Sequence, residues 1–192
     1  LSTVRKALCD QTIGTVTEEK SYRNPVKHLE RRGYVIVLND NQQMLVDEIT
    51  GELDKGEHHT YLLKGVTGSG KTEVYMELIA HTISQGRQAI VLIPEIALTY
   101  QTVMRFYNRF GDRVSIMNSR LSQGERYDQF ERAKAGDIDI MIGPRSALFT
   151  PFSNLGLIII DEEHENSYKS EGVPRYHARE TAIEYARMCD AS

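Results

Sequence analysis

The chain has 192 residues, 40 % of them hydrophobic and 26 % charged, with a net charge of −4; that is enough apolar content for one ordinary core and excludes a disordered or phosphate-coated protein. No apolar run approaches the ~20 residues of a membrane span and no signal peptide opens the chain, so a cytoplasmic location is expected, with no membrane partner. Two separated cysteines, Cys9 and Cys189, and the adjacent His58-His59 offer neither a disulfide framework nor metal-ligand spacing within this chain.

The charge is uneven. Residues 1–37 hold seven Lys/Arg against four Asp/Glu, and the remainder 16 against 23; a basic piece on an acidic body suits nucleic acid, or simply a solvated basic face. Residues 2–9 read as a short helix capped by Ser2, with strand at 12–17 and 21–23. This is either the end of a winged-helix DNA-binding module, covering 1–25, or an ordinary α/β extension. Residues 26–37 read as a linker with Lys27, Arg31 and Arg32 exposed and Gly33 in a turn. The main body then runs from 38 to 192. Its first helix carries Met44, Leu45 and Ile49 and is expected to stop at Gly51. The amide of Gln42, in the first turn, can donate to and accept from an adenine edge, or serve merely as a polar first-turn residue.

Gly65-Val-Thr67-Gly68-Ser69-Gly70-Lys71-Thr72 fills every fixed position of the phosphate-binding loop G-x-x-x-x-G-K-[ST]. Gly65, Gly68 and Gly70 let backbone N–H groups turn toward phosphate, Lys71 reaches the β- and γ-phosphates of ATP, and Thr72 ligates Mg²⁺. The motif needs a strand before it and a helix after it; residues 61–64 read as the strand, and Val74, Tyr75, Leu78, Ile79 and Ile83 mark one helix face ending before Gly86.

Beyond it the chain alternates. Residues 89–93 form a continuous apolar strand, 94–99 a loop ending in Thr99, and Val103, Phe106, Tyr107 and Phe110 the inner face of a helix. Residues 114–117 are the next strand. Ser122-Gln-Gly-Glu125 is a capping box opening a helix through Tyr127, Phe130 and Ala133 that closes near Gly136. Strand 138–142 runs into Gly143-Pro-Arg145-Ser146. This βαβ order predicts an α/β fold, a mostly parallel sheet with helices on both faces and ligands at the C-terminal strand ends. The last strand, 157–160, delivers Asp161-Glu-Glu-His164 to that edge. Such a cluster is costly at the tip of a buried strand unless a cation meets it: Asp161 would hold Mg²⁺ through water, Glu162 would polarise the attacking water, and His164 would sit near the γ-phosphate. Residues 168–179 interleave Tyr168, Lys169, Arg175 and Tyr176, a composition suited to stacking bases and meeting phosphates, or to a polar surface loop.

The P-loop with Asp161-Glu-Glu-His164 resembles the DExH branch of superfamily 2 helicases. With Pro94-Glu-Ile-Ala-Leu-Thr99, Arg145-Ser-Ala-Leu-Phe149 and Arg175-Tyr-His-Ala-Arg179, the wording is similar to the primosomal replication restart helicases of that branch. The resemblance implies a RecA-like P-loop NTPase lobe and an ATP-driven 3′ to 5′ DNA helicase working at stalled forks and D-loops, with primosome proteins and single-strand binding protein as partners. A double-stranded DNA translocase and a non-hydrolysing ATP-sensing module are the alternatives. By matching position, Gln42 would contact adenine, and Thr99, Arg145, Ser146, Tyr168, Lys169, Arg175 and Tyr176 would face forked or single-stranded DNA. A second motor lobe and a zinc module, expected in the full-length relatives, are not in this chain, so it is expected not to unwind DNA alone. Pro174, Asn118 and Arg120 depart from the usual pattern.

Overall fold

The computed structural model describes residues 21–26, 33, 36–66 and 68–192. The helix and first strand expected at 2–17, the linker residues Lys27, Arg31 and Arg32, and Thr67 lie outside them. Four strands, β1 (Gln88–Leu92), β2 (Val114–Ile116), β3 (Ile140–Gly143) and β4 (Leu155–Ile160), make one sheet in the order β2-β3-β1-β4 with every pairing parallel. Among the described residues five helices accompany it: α1 (Asp40–Asp54), α2 (Lys71–Ser84), α3 (Tyr100–Phe110), α4 (Gln123–Ala135) and α5 (Ala178–Met188). This is the parallel α/β architecture expected from the alternation, and it is consistent with the RecA-like lobe that the resemblance implies.

The central strand β1 is buried along its whole length, and successive side chains go to opposite faces. Ala89, Val91 and Ile93 pack with residues of α1, α2 and α3, including Ile49, Ile79 and Phe106. Ile90 and Leu92 pack with Ala133 of α4 and Ala178, Ala182 and Ala186 of α5. Leu92 stands opposite both Gly143 and Ile160, so β1, β3 and β4 end in line. The segments that follow, 93–99, 144–149 and 161–168, therefore leave the sheet at one edge.

Helix starts follow their local chemistry. Asn39 with Gln42, and Ser122 with Glu125, form complete capping boxes, and Gly136 at φ 76° closes α4. Elsewhere the structure departs from the sequence reading. Helix α1 runs through Gly51 to Asp54; an interior glycine costs only about 1 kcal/mol, and the extra turn brings Leu53 onto the core. The break comes at Gly56, where φ is 74°. Met44 is exposed, and Val46 and Ile49 are the buried face of α1. Tyr127 is likewise exposed. The buried face of α4 is Gln129, Arg132 and Ala133, made tolerable by hydrogen bonds: Ser115 Oγ donates to Gln129 Oε1 (2.8 Å), as does Arg132 Nη1 (2.9 Å), and Gln129 Nε2 donates to Arg23 O (2.7 Å).

Residues 21–23 form no strand; Arg23 instead pairs with Asp128 on α4. Val26, expected in a free linker, is fully buried against Val103 and Tyr107 of α3. Residues 61–64 join no ladder. The reason lies at the outer edge of β4, where Ser192 makes a parallel pair of bonds, accepting from Ile158 N (2.7 Å) and donating to Gly156 O (3.2 Å). The chain leading into the P-loop meets the same residue, His59 N donating to Ser192 Oγ (3.2 Å).

Candidate nucleotide and nucleic-acid site

Gly68 and Gly70, at φ 81° and 83°, give the P-loop a backbone that residues with a Cβ rarely adopt. At Gly70 a Cβ would also collide with the Gln42 amide. Gly70 caps α2 with no side-chain cap hydrogen bond, and the positive end of a helix is where an anion binds. Ser69 N donates to Val66 O (3.1 Å) to close the turn. Lys71 Nζ lies against its rim, donating to Gly65 O (2.8 Å) and Val66 O (3.2 Å).

Gln42 does not stand free to meet a base. Its Oε1 accepts from Asn39 N (2.9 Å), and its Nε2 donates to Ser69 O (3.0 Å) and Gly70 O (3.4 Å). The side chain expected against adenine is tied to the phosphate loop.

Across the sheet edge, Asp161 follows β4, with its N–H on Leu92 O (2.9 Å) and its Oδ1 accepting from Glu162 N (3.1 Å). Burial, and then the charge of Glu162, push the Asp161 carboxyl above its ordinary value. Glu162 takes a left-handed backbone with φ 49°. His164 Nε2 lies 3.7 Å from Glu162 Oε2, and its side chain is mostly exposed. The link between the two halves is a residue the sequence reading placed only in the helix core. Tyr75, buried on α2, has its hydroxyl 3.1 Å from Thr72 Oγ1 and 3.3 Å from Asp161 Oδ2. Burial and the Asp161 charge push its phenol above the ordinary range. Its place one turn after Thr72 is a signal the sequence did carry.

These residues fit a Mg²⁺-nucleotide. Two positive-φ glycines shape the cradle, a lysine lies at its rim, and a hydroxyl and a buried carboxylate converge on one phenol. A cation beside Asp161 would offset the desolvation that raises its carboxyl.

The expected DNA-facing residues divide. Thr99 is the N-cap of α3, its Oγ1 accepting from Thr102 N (3.3 Å), and is exposed. Ser146, Lys169 and Arg175 are exposed. Tyr176 is half-buried, edge-on to Phe149 at 5.3 Å. Lys169, Arg175, Tyr176 and His177 line a cleft of about 580 Å³, held at its neck by Ser170 N donating to Tyr176 O (2.7 Å). Tyr168 is a correction. A 3₁₀ turn at Asn166–Tyr168 carries its ring inward until the side chain is 1 % exposed, and its hydroxyl donates toward Asp161 O (2.6 Å) and Leu92 O (3.0 Å). A ring so enclosed cannot stack on a base. Arg145, half-buried, is engaged with the same loop, donating from Nη1 to Ser167 O (3.0 Å) and Lys169 O (2.6 Å).

Of the departures, Asn118 makes a turn, its Oδ1 accepting from Arg120 N (3.0 Å) and Leu121 N (3.1 Å). Glu95 reaches the same turn and accepts from Ser119 N (3.1 Å); hydrogen bonds from Ser119 hold its carboxyl below the usual range. Arg120 and Pro174 are exposed. An ion pair that the sequence reading missed, Arg179 to Glu163 (2.6 Å), ties α5 to the acidic motif.

The chain is similar to proteins named replication restart protein PriA: from Bacillus subtilis, 46 % identical over 182 residues covering 94 % of this chain and 23 % of the relative; from Haemophilus influenzae, 43 % identical over 182 residues covering 95 % and 24 %; and from Synechocystis, 49 % identical over 132 residues covering 68 % and 16 %. It spans about a quarter of the length of the first two. A family profile, DEAD/DEAH box helicase, matches residues 39–185. That match runs from the cap of α1 through the P-loop and Asp161-Glu-Glu-His164 into α5, and the chain belongs to the DEAD/DEAH box helicase family.

Proposed function

We propose that this chain is the nucleotide-binding motor lobe of an ATP-dependent 3′ to 5′ DNA helicase that acts at stalled forks and D-loops in replication restart. The observation that carries the reading is the meeting of Thr72 and Asp161 across Tyr75, which puts the hydroxyl of a phosphate loop beside the carboxylate of an acidic strand end. ATP and Mg²⁺ use belongs to the family in general; the residues here that would hold them are Gly65, Thr67, Gly68, Ser69, Gly70 and Lys71 on the phosphates, and Thr72 with Asp161 on the ion. The ion, when bound, supplies charge neutralisation at the phosphates. Glu162 would orient water, His164 would sit near the γ-phosphate, and Gln42 would reach adenine by exchanging its bonds to Ser69 and Gly70.

Single-stranded DNA would cross the exposed Thr99, Ser146, Lys169 and Arg175 and the half-buried Tyr176, while Tyr168 and Arg145 brace the loop. Domain organisation is proposed as the end of a winged helix at 1–25, a connecting segment at 26–37 and the lobe at 38–192. Primosome proteins and single-strand binding protein are proposed partners, with a zinc module and second motor lobe supplied outside this chain. The names of the relatives support the restart assignment.

The test is ATP turnover by the full-length protein without DNA, with single strands and with a forked duplex, alongside Glu162→Gln. Fork-stimulated turnover that falls by about 10²-fold or more in E162Q, with ATP still bound, is expected for a lost water-polarising group. Turnover indifferent to DNA would refute the restart reading.

A further inference from the structure

We propose that Tyr75 is a positioning residue that sets the Mg²⁺ affinity of the site by holding Thr72 and Asp161 in register before the ion arrives. The inference rests on the nucleotide reading above and goes beyond it, because Tyr75 lies in no part of the phosphate-loop or acidic motif yet touches one residue of each, Thr72 and Asp161.

The geometry is specific. Thr72 begins the second position of α2, and Asp161 follows β4, 89 positions later in the sequence. Nothing covalent or helical fixes one against the other. The Tyr75 hydroxyl stands between them, 3.1 Å from Thr72 Oγ1 and 3.3 Å from Asp161 Oδ2. The ring that carries it is locked: it is 6 % exposed and stacks on Phe106 with centroids 6.3 Å apart. A phenol has one proton to donate and lone pairs to accept. Donated to Asp161 Oδ2, that proton leaves Tyr75 Oη free to accept from the Thr72 hydroxyl. Thr72 Oγ1 then directs its proton at Tyr75 and keeps its lone pairs for a cation.

Two consequences follow from this one-way arrangement. Thr72 would be oriented as a ligand without the ion having to turn it. Asp161, whose buried carboxylate is disfavoured by desolvation and by Glu162, would gain a neutral donor that leaves its charge available. Preorganisation of this kind lowers the cost of binding without adding a contact to the ligand. Phenylalanine keeps the ring, its burial and its stacking, and removes only the hydroxyl.

The experiment is a fluorescent ATP-analogue titration of the full-length protein, wild type and Tyr75→Phe, first in EDTA and then across a Mg²⁺ series, with thermal melts of both. Tyr75→Phe is expected to raise the half-saturating Mg²⁺ concentration by roughly three- to tenfold, the effect of one hydrogen bond, with EDTA affinity within about twofold of wild type. Equal Mg²⁺ dependence in the two proteins would overturn the proposal. So would a parallel loss of EDTA affinity and melting temperature in the variant, since that marks a merely structural hydroxyl. Wild-type protein that binds the analogue without any response to Mg²⁺ would instead overturn the underlying nucleotide reading.

Discussion

Tyr168 separates two accounts of the loop that follows the acidic motif, because each predicts a different property to be lost on substitution. The composition of the loop favours a base-stacking tyrosine on the surface. The structure makes it an internal brace, 1 % exposed, with its hydroxyl on two strand-end carbonyls. In Tyr168→Phe, Leu92 O keeps the Asp161 N–H at 2.9 Å, whereas Asp161 O loses its 2.6 Å bond in the interior. One buried acceptor losing its donor costs about 1–2 kcal/mol. Tyr168→Ala also removes the ring and should cost about 3–5 kcal/mol. A surface stacking residue would instead leave stability within about 0.5 kcal/mol and weaken single-strand binding by about 1–3 kcal/mol. Urea unfolding followed by circular dichroism measures the first quantity and fluorescence anisotropy with a labelled single strand the second. The reasoning is refuted if Y168F and Y168A unfold with wild-type midpoints while DNA affinity alone declines.

Two further substitutions probe the site. The Asp161 carboxyl is raised above its ordinary 3.8, mainly by burial, so its protonated form favours folding below the unfolded value and that contribution is lost as pH rises through the folded one. Asp161→Asn, which never carries the charge, should therefore melt higher than wild type at neutral pH, with the difference vanishing as pH falls below 3.8; a constant difference across a melting series from pH 3 to 8 would contradict this. Gly70→Ala forces a Cβ into φ 83° and against the Gln42 amide, so it should cost about 1–3 kcal/mol in urea and weaken ATP-analogue binding more than tenfold, and wild-type binding would show that the loop tolerates another shape.

What was legible in the sequence was local. The Ser122–Glu125 capping box is read within four residues, and the apolar runs at β1, β3 and β4 need no knowledge of their neighbours to be recognised as strands; the Asn39–Gln42 box, equally local, was passed over. The P-loop declares itself for the same reason. Features that depend on remote partners were misread or missed. Residues 61–64 have the composition of a strand, but a ladder needs a neighbour, and at the edge of β4 it is Ser192 that pairs with Gly156 and Ile158. Tyr168 sits in a loop with Lys and Arg, and its inward turn shows only in its partners, the Asp161 carbonyl and the Leu92 carbonyl 76 positions upstream. Arg145 similarly spends its cation on backbone 22 and 24 positions away. On α4, Gln129 and Arg132 look like solvent-facing residues by type, and their burial becomes intelligible only through Ser115 and Arg23.

The left-handed backbone at Glu162 sets stability and activity against each other. A non-glycine residue in that conformation costs on the order of 1–2 kcal/mol, and glycine would relieve it at no steric cost. Yet glycine has no carboxylate, and Glu162 is the group assigned to water. An engineer ranking positions by backbone relief would be drawn to the residue that the proposed chemistry can least surrender. Asp190 shares the φ of 49°, but there relief by glycine would remove no group to which the proposed chemistry gives a part.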